Sequence, residues 1–328
     1  MSNNEHILNV QNLKTYFYTF EGIAKAVDDV SFHADPGETL GIVGESGSGK
    51  SVSVLSIMRL IKSPPGRIAD GRIEFDGINL LEVPENGMRK IRGNRISMIF
   101  QEPMTSLNPV YSIGNQIAEM FVIHQGMNKK ESLDRAIDML NRVKIPSPRN
   151  RAQEFPHQLS GGMRQRAMIA MALACNPEIL IADEPTTALD VTIQAQILEL
   201  MLELKEQYNT AVLMITHDLG VIAEIAQRVV VMYAGKVVEE GLTKDLFEDP
   251  KHPYTKGLLQ SIPILGRRAE YGRDRLTEIP GIVPSLYDLP QGCSFQPRCM
   301  ECIPECRKNL PDLKPLDRER KVRCHLYQ

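Results

Sequence analysis

Along residues 6–43 the apolar residues gather in short β-type runs broken by turns. The last run, Thr39-Leu-Gly-Ile-Val-Gly44, reads as a buried strand entering a glycine-rich turn, with a helix expected to follow at Lys50. Strand-like runs recur from about Arg72 to Phe100. From Ile113 to Cys175 the spacing turns helical, with long amphipathic stretches and few β-branched clusters, which predicts a helical insertion. Strand character returns at Ile179–Asp183 and at Ala211–Thr216, separated by a helix-length segment from Val191 to Gln207. That is the rhythm of a parallel βαβ sheet, so the expected fold class is α/β. Beyond about Gly241 prolines recur from Pro250 to Pro315 with little periodicity, which predicts a separate loop-rich appendage. The glycine-rich turn has no second copy along the chain.

Bulk composition changes this picture little. Hydrophobic residues at 42% and charged residues at 24% exclude a largely disordered chain, and a formal charge of −3 gives no global pull toward nucleic acid. The first residues, MSNNEHILNVQNL, lack a basic segment followed by an apolar core, so a chain that stays in the cytosol is expected. The most apolar stretch, Met168–Ala182, is broken by Asn176, Pro177 and Glu178 and falls short of the ~20 residues that span a bilayer. Any membrane role must therefore come through a partner. Cys175 stands alone, whereas five further cysteines crowd between Cys293 and Cys324, which in a reducing compartment suggests metal rather than disulfides.

Candidate chemistry starts at Gly44-Glu-Ser46-Gly47-Ser-Gly49-Lys50-Ser51, which fits G-x-x-x-x-G-K-[ST] between a predicted strand and a predicted helix. Glycines at these positions let backbone N–H groups wrap phosphates. Lys50 can reach the β and γ phosphates of ATP, and Ser51 can ligate Mg²⁺. A flexible Gly/Ser turn is the bland alternative, but it leaves the Lys-Ser offset and both flanking elements as accidents. Four apolar residues, Ile179 to Ala182, then run into Asp183-Glu184. Asp183 is expected to hold Mg²⁺ through water, and Glu184 to polarise the water that attacks the γ phosphate. Ahead of them lies Leu159-Ser160-Gly161-Gly162-Met163, opening a helix-like stretch; a Ser-Gly-Gly at a helix start forms a second anion nest.

With these motifs in order, residues 7–241 resemble the ATP-binding cassette (ABC) family, whose signature L-S-G-G-Q appears here with Met163 in last place. The resemblance implies a P-loop NTPase core of ABC type with an antiparallel β-subdomain. It also implies a helical subdomain over about 102–175 within a nucleotide-binding domain of 1–245, followed by a C-terminal region of 246–328. Gln101 follows Met98-Ile-Phe100, Ala188-Leu189-Asp190 follows the acidic pair, and His217 ends a strand. By resemblance Gln101 senses Mg²⁺ and the membrane subunit, Asp190 contacts the opposite protomer, and His217 contacts the γ phosphate. Phe17, with Tyr16 as the alternative, matches the aromatic on which adenine stacks. The family pattern sets Ser160, Gly161 and Gly162 against ATP bound to a second protomer, so one chain supplies half of each site.

Two stretches, Gln101-Glu-Pro-Met-Thr-Ser-Leu-Asn-Pro109 and His252-Pro-Tyr-Thr-Lys-Gly-Leu-Leu259, resemble the dipeptide and oligopeptide importer ATPases. Nickel and glutathione importers have related subunits and remain the alternative. That branch implies a second, different cassette subunit, two transmembrane permeases, an extracytoplasmic solute-binding protein and a place on the cytoplasmic face of the membrane. It also implies a [4Fe–4S] cluster on Cys293, Cys299, Cys306 and Cys324, with Cys302 as an extra thiol. Zinc, or inert thiols, remain open. A soluble cassette ATPase acting on nucleic acid or ribosomes is the rival class. Its members carry paired cassettes or long coiled-coil or zinc insertions, and neither is present in this sequence.

Overall fold

A computed structural model describes residues 6–101, 106–186, 190–261, 279–317 and 319–328. The chain begins with β1 (Leu8–Thr19), β2 (Gly22–Ala34), β3 (Thr39–Val43), α1 (Lys50–Ile57), β4 (Gly66–Phe75) and β5 (Ile78–Asn79). It continues through α2 (Glu85–Ile91), β6 (Ile96–Ile99), α3 (Ile113–Gln125), α4 (Lys129–Arg142), α5 (Pro148–Arg151), α6 (Gly161–Leu173) and β7 (Ile179–Asp183). Then come α7 (Val191–Tyr208), β8 (Ala211–Ile215), α8 (Leu219–Ile225), β9 (Arg228–Tyr233), β10 (Lys236–Leu242), α9 (Thr243–Glu248) and α10 (Pro253–Gln260). Two short strands, β11 (Lys314–Pro315) and β12 (Lys321–Val322), close the sequence, and the class is α/β as expected.

Contacts divide the chain into two units, one of residues 1–33, 39–81 and 216–328, the other of 34–38 and 82–215. In the first unit β1, β4 and β5 pair antiparallel, with β2 on the far side of β1. The short runs expected before residue 43 are in fact two long strands. In β1 the buried positions are Leu8, Val10, Leu13 and Thr15. The alternation slips by one residue after Val10, and a bulge between Gln11 and Thr15 absorbs the slip, so both halves bury the same face. β3 pairs parallel with β9, β9 antiparallel with β10, and β10 with β12 through Glu239↔Val322 and Glu240↔Lys321.

The second unit holds the parallel ladder β6-β7-β8 and helices α2 to α7. β7 and β8 are buried at every position, which is why uninterrupted apolar runs, not alternation, marked them in the sequence. α2 lies inside the stretch expected to be strand-like; its seven residues bury only Met88 and Ile91, too few to set a helical period.

The C-terminal stretch contains more structure than its prolines suggest, since α9 and α10 follow β10 directly. From 279 onward it is loops, 3₁₀ turns and the two short strands. Its buried apolar side chains are few, but Arg298, Arg320 and Arg323 are all buried. Arg320 donates to Asp245 O at 2.6 Å, and Arg323 donates to Val237 O at 2.9 Å. Glu239, fully buried in β10, accepts the Lys251 and His252 N–H groups at 2.8 and 2.9 Å. Hydrogen-bonded charge thus does here what apolar burial does in the strands.

Candidate functional site

The glycine loop occupies the turn from β3 into α1. Gly44 has φ 151° and Gly49 φ 101°, and Cβ atoms there would lie 2.2 Å from Met232 O and 2.3 Å from Ala26 O. Both positions therefore require glycine for φ and for close approach. Ser46 and Gly47 form the exposed crest, whereas Ser48, Gly49 and Lys50 are buried. The Lys50 ammonium donates to Gly44 O at 2.7 Å and Glu45 O at 3.0 Å, with Ser48 Oγ at 3.4 Å. No side chain caps α1, so its first N–H groups face the loop with Ser51 in the first turn. The loop is a cradle for an anion with a cation already inside it.

Sequence reasoning missed what holds this loop from outside. Glu45, its one acidic residue, receives two hydrogen bonds from Arg298, Nη1 to Oε2 at 2.7 Å and Nη2 to Oε1 at 3.0 Å. The Glu45 N–H donates to the Tyr254 hydroxyl at 2.8 Å. Partners separated by more than two hundred residues leave no local signal; only the branch resemblance at His252–Leu259 drew notice to Tyr254.

In the second unit Asp183 is buried at the end of β7, and Glu184 follows with φ 48°, its N–H donating to Ile215 O at 2.9 Å. A glutamate in left-handed backbone is uncommon and typical of residues held for function. Gln101 Nε2 donates to Glu184 Oε2 at 2.9 Å, so the structure brings these two residues together. Ser160 is the exposed N-cap of α6, its hydroxyl taking the Met163 N–H at 3.4 Å; Gly161 and Gly162 form the first turn. Asp190 caps α7 through a 2.9 Å bond from Ile193 N–H. Ala188, Leu189 and the 102–105 part of the Gln101–Pro109 stretch lie outside the described residues.

His217, exposed just after β8, belongs to the first unit, as does Phe17. Phe17 is half-buried and pairs with Gly66, where an added Cβ would lie 2.9 Å from its ring. The neighbouring Tyr16 is engaged otherwise, its hydroxyl donating to Asp28 at 2.7 Å.

Cys293, Cys299, Cys306 and Cys324 line one cavity of the first unit, together with His252 and Phe295, and Cys302 does not line it. Burial pushes the Cys293 and Cys299 thiols up to about 11 and the Cys324 thiol upward, so without an ion they are protonated.

A glycine loop with an internal lysine between a buried strand and a helix, and an Asp-Glu pair ending a parallel strand, define a P-loop nucleotide-binding protein. The profile of the ABC transporter family matches residues 27–187, and that of the oligopeptide/dipeptide transporter C-terminal region matches 238–306. The chain is 54% identical to the oligopeptide transport ATP-binding protein AppD of Bacillus subtilis, over 98% of this chain and 97% of that one. It is 51% identical to the dipeptide transport ATP-binding protein DppD of Escherichia coli, over 97% and 96%. Among solved structures, an ATP-binding cassette in a dimeric post-hydrolysis state with ADP and Pi is 31% identical. It superposes with a TM-score of 0.64 over 72% of this chain and 98% of its own. The chain belongs to the ATP-hydrolysing subunits of ABC transporters, in the branch that serves oligopeptide and dipeptide import.

Proposed function

We propose that this chain binds and hydrolyses ATP as one of two cassettes that power peptide import. Its partners are a second, different cassette subunit, two membrane-spanning permeases and, through them, an extracytoplasmic solute-binding protein. It works at the cytoplasmic face of the membrane as a peripheral subunit; among the described residues no helix is long and apolar enough to cross. The observation that carries the reading is the Lys50 ammonium held inside the glycine loop by Gly44 and Glu45 carbonyls.

In this reading Lys50 and the loop N–H groups bind the phosphates and Phe17 stacks on adenine. Ser51 and Asp183 are hard oxygen donors of the kind Mg²⁺ takes and would hold it with Gln101, the ion neutralising phosphate charge. Glu184 polarises the attacking water and His217 contacts the γ phosphate. The hydrogen bond from Gln101 supports these roles, because it brings the two residues together and orients the Glu184 carboxylate. Ser160, Gly161, Gly162 and Asp190 serve the ATP of the partner cassette; the exposure of Ser160 and Asp190 supports that role. ATP then joins the two cassettes, and hydrolysis removes contacts that held them closed.

The test is uptake. With the two permeases and the partner cassette in vesicles, and binding protein supplied, labelled di- or oligopeptide should accumulate only with ATP. Lys50→Ala should abolish accumulation. ATP turnover indifferent to peptide and binding protein, with no uptake, would overturn the peptide reading.

We further propose that Cys293, Cys299, Cys306 and Cys324 hold a [4Fe–4S] cluster. Their lining of one cavity fits four soft donors around one centre, with Cys302 left out. The cluster would supply ligation energy to a segment poor in apolar contacts. Protein purified without oxygen should be brown with about four irons per chain. Serine at any of the four positions should bleach it, while Cys302→Ser leaves it coloured. Colourless protein with one zinc would replace iron by zinc, and absence of both metals would remove the centre.

A further inference from the structure

We propose that Arg298, far along the chain from the glycine loop, is a positioning residue for nucleotide binding: it neutralises Glu45 and fixes the loop in its phosphate-accepting shape. The proposal rests on the reading of Gly44–Ser51 as the phosphate loop. Within that segment the only charged residues are Glu45 and Lys50, which cancel. A loop meant for a polyphosphate is therefore electrically neutral until a third charge is counted. Arg298 supplies it.

The guanidinium is buried, and each of its five N–H groups has an acceptor. Two go to the Glu45 carboxylate at 2.7 and 3.0 Å. Nε donates to Pro280 O at 3.0 Å, and the remaining two N–H groups reach Ile279 O at 3.3 Å and the Tyr233 hydroxyl at 3.4 Å. A fully satisfied, two-pronged pair of this kind fixes geometry as well as charge. Behind it, Phe295 packs edge-on against Tyr233 and Tyr254, with ring centroids 5.2 and 5.4 Å apart. The same aromatic group presents the Tyr254 hydroxyl that takes the Glu45 N–H. Glu45 is therefore held at side chain and backbone by residues of the C-terminal stretch, while its carbonyl receives Lys50.

Removing Arg298 leaves a carboxylate without its counter-ion beside the phosphates, and repulsion follows. If charge is the cause, deleting the carboxylate as well must restore binding. A packing defect would not be cured that way.

The experiment titrates a fluorescent ATP analogue against the full chain and four variants. Arg298→Gln should weaken binding about tenfold, the factor that 1.4 kcal/mol of lost attraction gives. Glu45→Gln/Arg298→Gln should return to within about threefold of the wild type, and Tyr254→Phe, which removes one acceptor, should lose about threefold. Lys50→Ala separates the two readings. If it binds normally, the phosphate loop itself is misassigned; if it fails while Arg298→Gln binds normally, only the role of Arg298 falls. A double variant as weak as Arg298→Gln also overturns the proposal. Should Arg298→Gln not melt cooperatively, Tyr254→Phe decides: a threefold loss sustains the external clamp, and unchanged affinity ends it.

Discussion

Two glycine-containing turns of this chain open helices toward an anion, and they are built in opposite ways. The loop before α1 has a buried base below its exposed crest, with Gly44 and Gly49 at positive φ pressed on neighbouring carbonyls, a lysine inside and Arg298 behind. The turn before α6 exposes Ser160 and half-buries its two glycines, which are helical, and Arg164 turns back to donate to Leu159 O at 2.6 Å. In the proposed reading the first binds phosphate with residues of one chain. The second presents a capping hydroxyl and a helix start, which is what the proposed half-site for the partner cassette's ATP requires.

Substitutions can break this contrast. The largest effect is expected for Lys50→Ala, which removes the loop's internal cation and should weaken ATP binding to the isolated chain about 100-fold in a fluorescence titration. Next comes Gly49→Ala, whose methyl group would lie 2.3 Å from Ala26 O at φ 101°. A destabilisation of about 2–4 kcal/mol should appear in urea unfolding. Ser160→Ala should leave nucleotide affinity of the isolated chain within about twofold, yet slow turnover of the assembled transporter about tenfold. It should also cost about 1 kcal/mol through the lost cap. The smallest effect on stability belongs to Gly162→Ala. Its methyl group would meet the Ile193 side chain, nearest at Cγ2, 3.1 Å away, in helical backbone, so the melt should move by less than about 0.5 kcal/mol. If Ser160→Ala weakened ATP binding in the isolated chain as Lys50→Ala does, the two turns would be equivalent and the contrast lost.

The same contrast explains what could be read from the sequence. β3, β7 and β8 were legible because each is an uninterrupted apolar run, and α1 because a glycine loop and Lys50 announce it. α7 was placed to within a residue, since Asp190 caps it and its apolar face repeats. α2 was not legible, because seven residues carry too little period. The hold on the C-terminal stretch escaped for a different reason: Arg298, Arg320 and Arg323 act through charge and carbonyls, and paired charges have no periodicity. Cys293, Cys299, Cys306 and Cys324 could be gathered by composition and resemblance. That they line one cavity, with Cys302 outside it, needed the fold.

In the proposed mechanism, ATP hydrolysis by this chain depends on Glu184. Steady-state phosphate release by the assembled transporter, with Glu184→Gln compared with wild type, tests it most directly, because the amide keeps the shape of the site but cannot take a proton from the attacking water. ATP affinity should be retained, the closed cassette pair should accumulate and release should fall at least about 100-fold. Turnover near the wild-type rate would contradict the mechanism.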